Sequence, residues 1–139
     1  MRGTGYRFEA PQGWTIIRSG RQVRAAEGGD SPALVAVSRF PLLRPAANEL
    51  SPKVIDELDN VAKGIAEQQQ GTISSKETTE VAGRQARRYD VDYESNGKKL
   101  VERLGFVLRA RTEHLLLCRF ERSGDTSPCD RLFSSFTLR

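Results

Sequence analysis

The stretch formed by residues 80–121 constrains the fold most, because apolar and polar residues alternate along it between short turn signals. Asn96-Gly97 interrupts the alternation, and this dipeptide favours a two-residue type I′ hairpin turn. A second turn is predicted near Thr112, after which residues 114–120 return as another apolar strand. The sequence therefore predicts a three-strand antiparallel meander, with the other elements placed beside it or over it.

The Asn96-Gly97 hairpin also fixes the register of its two strands, and with it the face on which each side chain lies. One face is mainly apolar and suits a long helix, and its predicted pairs are Tyr93 with Leu100, Val91 with Glu102, Tyr89 with Leu104 and Arg87 with Phe106. The other face is mixed, and its predicted pairs are Asp92 with Val101, Asp90 with Arg103 and Arg88 with Gly105. Asp90 and Arg103 would form a cross-strand ion pair, and Gly105 leaves room for a second helix.

A long amphipathic helix is predicted over residues 51–70. Ser51 can cap its first turn, and Pro52 sits at the first helical position, where a missing N–H costs nothing. Apolar residues recur at three- and four-residue spacing and form one stripe, made of Val54, Ile55, Leu58, Val61, Ala62, Ile65 and Ala66. Gly71 is predicted to be the left-handed residue that ends the helix.

A second, shorter helix is predicted over residues 127–136, with Ser127 as its cap. Further strands are predicted at residues 6–9, 15–18, 23–26, 33–40 and 72–81. Pro41 is expected to end the fourth of these, and Pro45 to keep the following segment irregular. Residues 1–139 are therefore expected to form a single α+β domain, an α/β/α sandwich. Its central antiparallel sheet of about six to eight strands carries the long helix on one face and the short C-terminal helix on the other.

The two cysteines are placed where they could meet. Leu116, Cys118 and Phe120 are expected to face the C-terminal helix, and Cys129 opens that helix. A Cys118–Cys129 disulfide would close a short loop and imply an oxidising compartment. Two buried free thiols are the alternative, and the spacing alone leaves both open.

No motif for catalysis, metal binding or cofactor binding is recognisable, and we expect no cofactor. His114, the one histidine, is predicted to lie on the surface beside a turn, although a cleft joining it to a carboxylate would point to a hydrolase. Of the 22 basic residues, 17 are Arg. Arg87 and Arg119 are expected to flank Phe106 on the helix-facing side, so they could contact an anion or a partner, or pair with Glu57 or Glu67 of the helix. Trp14 is expected to be part of the core at the sheet edge.

Short motifs along nearly the whole chain resemble those of PsbP-like domains. They are Tyr6-x-Phe8-x-x-Pro11-x-Gly13-Trp14, Val35-x-Val37 before one long helix, Val81-x-Gly83-x-x-Ala86, and the closing Leu132-Phe-Ser-Ser-Phe136. The resemblance implies an α/β/α sandwich. The group includes the extrinsic PsbP protein of photosystem II, a small Ran-binding import factor, and bacterial secreted or lipid-anchored proteins. Residues behind the photosynthetic metal and chloride roles have no match here, so none is carried over.

The resemblance and the missing catalytic motifs together predict a non-catalytic binding or assembly module, the soluble domain of an exported bacterial protein. The alternative is an intracellular adaptor that docks a protein partner through Arg-rich strand surfaces. No apolar run is long enough to span a membrane, so we expect membrane contact only through a removed lipid anchor or signal. A monomer that binds no nucleic acid is expected, and an extracytoplasmic location is favoured over a cytoplasmic one.

Overall fold

The computed structural model describes residues 2–139. Its strands are β1 (Arg2–Gly3), β2 (Tyr6–Arg7), β3 (Thr15–Ser19), β4 (Gln22–Ala26), β5 (Leu34–Ala46), β6 (Thr72–Val81), β7 (Arg84–Ser95), β8 (Lys98–Glu121) and β9 (Thr137–Leu138). Its helices are α1 (Pro52–Gln68) and α2 (Ser127–Ser135). Six strands form an antiparallel sheet in the order β3-β4-β5-β8-β7-β6, and β1, β2 and β9 form a small second sheet.

The two helices cover opposite faces of the six-stranded sheet, which confirms the predicted α/β/α sandwich. α1 buries Leu58, Ala62 and Ala66 against one face, made by Tyr89, Val91, Leu104, Phe106 and Leu108. α2 buries Cys129 and Leu132 in a separate cluster on the other face, with Val35, Val37, Val107, Leu116 and Cys118 among its members. A disulfide joins Cys118 of β8 to Cys129 of α2, so this helix is covalently tied to the sheet.

The β7–β8 hairpin has the predicted register at every pair named above. Asn96 and Gly97 both have positive φ angles, of 52° and 77°, as a type I′ turn requires. The predicted close approach at Gly105 is also confirmed, because a Cβ built there would lie 2.5 Å from the Phe133 ring of α2. Local turn chemistry and strand alternation were therefore sufficient to define this part of the sheet.

The predicted turn near Thr112 is wrong, and with it the three-strand meander. β8 runs without a break for 24 residues, pairing with β7 along its first half and with β5 along its second. Ala110 has a φ of 52°, which interrupts the regular strand geometry at this point. Across it, the side chains that face α1 change from even-numbered ones such as Leu108 to odd-numbered ones such as Leu115. The predicted faces of residues 115–118 are therefore correct although the turn is absent.

β5 continues through both prolines to Ala46, contrary to the prediction that Pro41 would end it. The pairing of β4 with β5 reaches only as far as Ser38. Beyond Ser38, one edge of β5 has no ladder to complete, so proline costs no inter-strand hydrogen bond there. The strand is irregular in this part, because four residues of β5 stand between Pro41 and Ala46 where β8 has one.

The helix ends differ from prediction in detail. Ser51 caps α1 as expected, and its hydroxyl accepts a hydrogen bond of 3.2 Å from the Val54 N–H. The left-handed residue after α1 is Gln70, not Gly71. Ser127 lies inside α2 instead of capping it, and both its N–H and its hydroxyl donate to Asp125. No helix in residues 2–139 combines the length and the apolar character needed to cross a membrane.

Candidate anion-binding site

Arg87, one of the two arginines singled out from the sequence, ties β7 to α1. Its Nε lies 3.1 Å from Asp59 Oδ1 and its Nη2 donates to Asp59 Oδ2 over 3.4 Å. The Tyr89 hydroxyl donates to the same carboxylate. Burial opposes the ionisation of Asp59, but these hydrogen bonds outweigh it and hold its pKa below the usual value. Arg87 therefore pairs with a helix carboxylate as expected, although with Asp59 and not with Glu57 or Glu67.

Arg119, the second of the two, does not flank Phe106 as predicted, because it lies in the second half of β8, opposite Leu34 of β5, whereas Phe106 lies in the first half, opposite Arg87. Arg119 is also engaged within the protein. Its Nε donates to the Pro32 carbonyl over 2.7 Å. It lies near Glu102, a buried carboxylate that accepts a 3.2 Å hydrogen bond from the Tyr93 hydroxyl. Burial raises the pKa of Glu102, and the Tyr93 hydrogen bond and the Arg119 charge counteract it. The positive charge of Arg119 thus partly offsets the negative charge of the buried Glu102 carboxylate.

The predicted ion pair between Asp90 and Arg103 is present and is bidentate. Arg103 Nε and Nη2 donate to the two Asp90 oxygens over 2.9 and 3.2 Å. Asp92, the other carboxylate on this face, accepts from Ser74 and lies 3.8 Å from Arg122. Within residues 2–139, no group of three or more His, Cys, Asp or Glu side chains is arranged to hold a metal ion.

His114 is buried, so the prediction of a surface histidine is wrong. Only 2% of the residue is exposed, and its ring packs edge-on against Tyr6, with centroids 5.5 Å apart, and beside Phe136. The prediction failed because the turn expected beside it is a continuous strand. The Val107 carbonyl lies near, yet among the described residues neither ring nitrogen has a partner of normal hydrogen-bond geometry. Burial, reinforced by the charges of Arg109 and Arg39, lowers the pKa of His114 to about 4.

Four other arginines surround a cavity of about 240 Å³, which we call the basic groove. It is lined by Arg2, Arg18, Arg21 and Arg39 together with the ring of Tyr6 and the polar side chain of Gln22. Within the described residues, no carboxylate lies within 4.0 Å of any of these four guanidinium groups. Arg87 and Arg103, in contrast, each form an ion pair with a carboxylate of the protein.

Strand pairing brings these scattered residues together. The β3–β4 hairpin places Arg21 beside the end of the β4–β5 ladder, and the Arg39 N–H donates to the Arg21 carbonyl over 3.0 Å. The β1–β2 hairpin forms the opposite side, where Arg18 donates to the Arg2 carbonyl. Gly3 is required here because a Cβ at this position would overlap the Tyr6 ring. No local motif marks this arrangement, so sequence patterns did not reveal it.

The charges of the basic groove act on neighbouring titratable groups. Burial raises the pKa of Tyr6, and the positive charges of Arg39 and Arg18 counteract that rise. Arg39 also disfavours protonation of His114. Guanidinium groups present planar forks of N–H donors that match phosphate and carboxylate oxygens. A cavity bordered by four of them can therefore hold a small anion with several negative oxygens.

A larger, open groove of about 580 Å³ lies near the start of the chain, beside Trp14. Trp14 was predicted to belong to the core. It is partly buried against the core, and it also lines this groove. Glu9 and Arg131 also line it and contribute charges of opposite sign. With one charged side chain of each sign, this second groove lacks the excess of positive charge that distinguishes the basic groove.

Two solved structures are similar to this chain in fold. One is a crystal structure of a protein from Bacteroides thetaiotaomicron, with a TM-score of 0.67 and 8% identity over 96% of this chain. The chain spans 45% of the length of that protein. The other is LpqN, involved in cell envelope biogenesis of Mycobacterium tuberculosis, with a TM-score of 0.56 and 11% identity, covering 96% of this chain and 82% of LpqN.

These similarities concern the fold alone. No protein-family model matches the chain. No curated protein sequence matches it either. The α+β sandwich is thus shared with bacterial proteins, one of which is involved in cell envelope biogenesis, while membership of the PsbP-like group stays a prediction.

Proposed function

We propose that this chain is a non-catalytic binding module of an exported bacterial protein, and that it holds a small multivalent anion in the basic groove. The observation that carries the proposal is the cluster of Arg2, Arg18, Arg21 and Arg39, whose charges no nearby carboxylate compensates. Bringing four like charges together is unfavourable unless a ligand or solvent ions offset them. An anion with several oxygens would replace solvent ions and contact more than one guanidinium group.

Export is supported by the disulfide between Cys118 and Cys129, which are both buried. Disulfides persist in oxidising compartments and are rare where thiols are kept reduced. The fold shared with LpqN, a protein involved in cell envelope biogenesis, and the resemblance to secreted PsbP-like proteins support the same location. An intracellular adaptor that docks through Arg87 and Arg119 has less support, because Arg87 is paired with the Asp59 carboxylate and the charge of Arg119 acts on the buried Glu102 carboxylate.

Anion binding is tested by calorimetric titration with pyrophosphate, and with citrate as a carboxylate probe, at low ionic strength. We expect saturable binding that weakens about tenfold or more in an Arg18→Gln/Arg21→Gln variant, because hydrogen bonds to charged groups contribute about 1.5–3 kcal/mol each. Arg24→Gln is the matched control, since Arg24 is exposed on β4 and does not line the groove. No binding of either anion, or equal weakening by Arg24→Gln, would refute this use of the groove.

The export proposal has a separate test. Protein produced in the bacterial periplasm is denatured without reductant, and its free thiols are counted with a chromogenic reagent. We expect no free thiol before reduction and two after it. Two free thiols in protein from an oxidising compartment would count against export while leaving the question of anion binding open.

A further inference from the structure

The irregular part of β5 forms a protrusion whose shape is held by the surrounding residues. Residues 42–45 stand opposite the single residue Arg111 of β8, so they must loop out of the ladder, and we call them the β5 bulge. Pro41 and Pro45 restrict its backbone, because proline fixes φ. Arg111 Nη1 donates to the Leu43 carbonyl over 3.1 Å. The bulge is therefore a restrained projection and not a loose loop.

The β5 bulge presents an apolar side chain surrounded by positive charge. Leu43 is 96% exposed, the highest value among the large apolar residues in the described part of the chain. Phe40, just before the bulge, is 39% exposed, and Arg44 and Arg111 are exposed beside it. Within residues 2–139, neither arginine has a carboxylate within 4.0 Å.

The acidic group closest to the β5 bulge in the sheet register is Glu113, which stands opposite Phe40. It is partly buried, and burial raises the pKa of its carboxyl, so the environment disfavours its negative charge. The surface of the bulge is accordingly apolar at its tip and cationic around it. At an anionic lipid surface, an exposed apolar side chain gains free energy by entering the headgroup boundary, and each nearby cation is attracted to the negatively charged lipids.

We propose that the β5 bulge docks the protein on an anionic lipid surface by inserting Leu43 below the headgroups, with Arg44 and Arg111 at the phosphate level. A protein partner fits the observations less well. A stable protein–protein interface covers about 800 Å² on each side, far more than the apolar surface of Leu43 and Phe40. A projecting leucine also needs a matching pocket in a protein, whereas lipid headgroups adapt to it. The proposal does not depend on anion binding in the basic groove.

The test is co-sedimentation with vesicles at low ionic strength, comparing phosphatidylcholine alone with a mixture containing phosphatidylglycerol. We expect binding to the anionic vesicles only. Leu43→Ser should weaken it about tenfold or more, since burial of one leucine side chain changes a partition coefficient by that factor. Arg44→Gln should weaken it about fivefold, the contribution of one cation near an anionic surface. Val61→Ser is the matched control, because Val61 of α1 is 48% exposed and lies outside the β5 bulge.

Insertion is measured separately by fluorescence. The chain has one tryptophan, Trp14, so a Trp14→Phe background provides a site for single reporters. Leu43→Trp in that background should shift its emission to shorter wavelength on anionic vesicles and become protected from acrylamide. Val61→Trp in the same background should do neither. Circular dichroism of each variant checks that the fold is retained.

Three results would overturn the proposal. The first is no binding of the native protein to phosphatidylglycerol vesicles at low ionic strength. The second is full binding by Leu43→Ser, which would mean charge alone is sufficient and nothing inserts. The third is binding to polyglutamate, weakened by Leu43→Ser, without binding to vesicles, which would assign the β5 bulge to an acidic protein surface.

Discussion

Acid should destabilise this protein through His114, its one histidine. In the folded state the ring is buried and its pKa is about 4, whereas in the unfolded chain the pKa returns to about 6.5. At pH values between these two pKa values, His114 is protonated in the unfolded chain and neutral in the folded protein. Stability from this group is therefore fully present above pH 6.5 and is lost as pH falls from 6.5 towards 4.

The size of the effect follows from the two pKa values of His114. A difference of this size corresponds to about 3 kcal/mol in total, and about 2 kcal/mol of that is lost between pH 7.5 and pH 5. Raised carboxyl pKa values at Glu102 and Glu113 act in the opposite direction, because they favour the folded state at low pH. The contributions of Glu102 and Glu113 are present in the native protein and in a variant that changes His114 alone. They therefore cancel when the unfolding free energies of the two proteins are subtracted.

The assay is urea unfolding of the native protein and of His114→Phe at pH 7.5, 6.5, 5.5 and 5.0. Phenylalanine keeps an aromatic ring between Tyr6 and Phe136 and cannot be protonated. We expect the difference in unfolding free energy between the two proteins to change by about 2 kcal/mol across this range, in favour of His114→Phe at low pH. The imidazole proton resonances, which are unambiguous with one histidine, should titrate near pH 4.

A difference that stays constant within about 0.5 kcal/mol from pH 7.5 to 5.0 would refute this reasoning. An imidazole titration near pH 6.5 in the folded protein would refute it as well, since it would mean that the ring is solvated or hydrogen-bonded.

Two further predictions concern the attachment of α2 to the sheet. A Cys118→Ser/Cys129→Ser variant should lower the unfolding free energy by about 3 kcal/mol, the chain-entropy value for a separation of 11 residues, measured by urea denaturation without reductant against the disulfide-bonded native protein. Gly105→Ala should cost about 1–3 kcal/mol, because the new Cβ would lie 2.5 Å from the Phe133 ring. In the same assay the control Gly64→Ala, at an open position on α1, should be neutral or stabilise the protein by up to about 1 kcal/mol.

Elements set by local chemistry were predictable from the sequence. The Asn96-Gly97 turn requires two residues with positive φ, and the alternation beside it fits only one register, so the β7–β8 hairpin followed directly. α1 was likewise predictable, because Ser51 and Pro52 indicate its start and most of the apolar stripe forms its buried face, although Val61 of that stripe is 48% exposed. In these segments a few adjacent residues determine the conformation.

Elements that depend on distant partners were not predictable in the same way. Whether the chain turns or continues at Ala110 depends on β5, which pairs with the second half of β8. Whether β5 passes through Pro41 depends on where β4 stops. The basic groove is missed for a similar reason, because Arg2 and Arg39 become neighbours only after the small sheet packs on the large one.

The arginines illustrate why composition did not identify the candidate site. A formal charge of +4 on 139 residues is modest, and 17 arginines give no location by themselves. Some of those on the central strands are compensated, as Arg87 is by Asp59 and Arg103 by Asp90. Four arginines border the one cavity of the basic groove, and Arg44 and Arg111 lie beside exposed Leu43 at the β5 bulge, with no carboxylate of the described residues within 4.0 Å of them. The distribution of charge relative to the sheet, more than its sum, therefore determines where an anion or an anionic surface would bind.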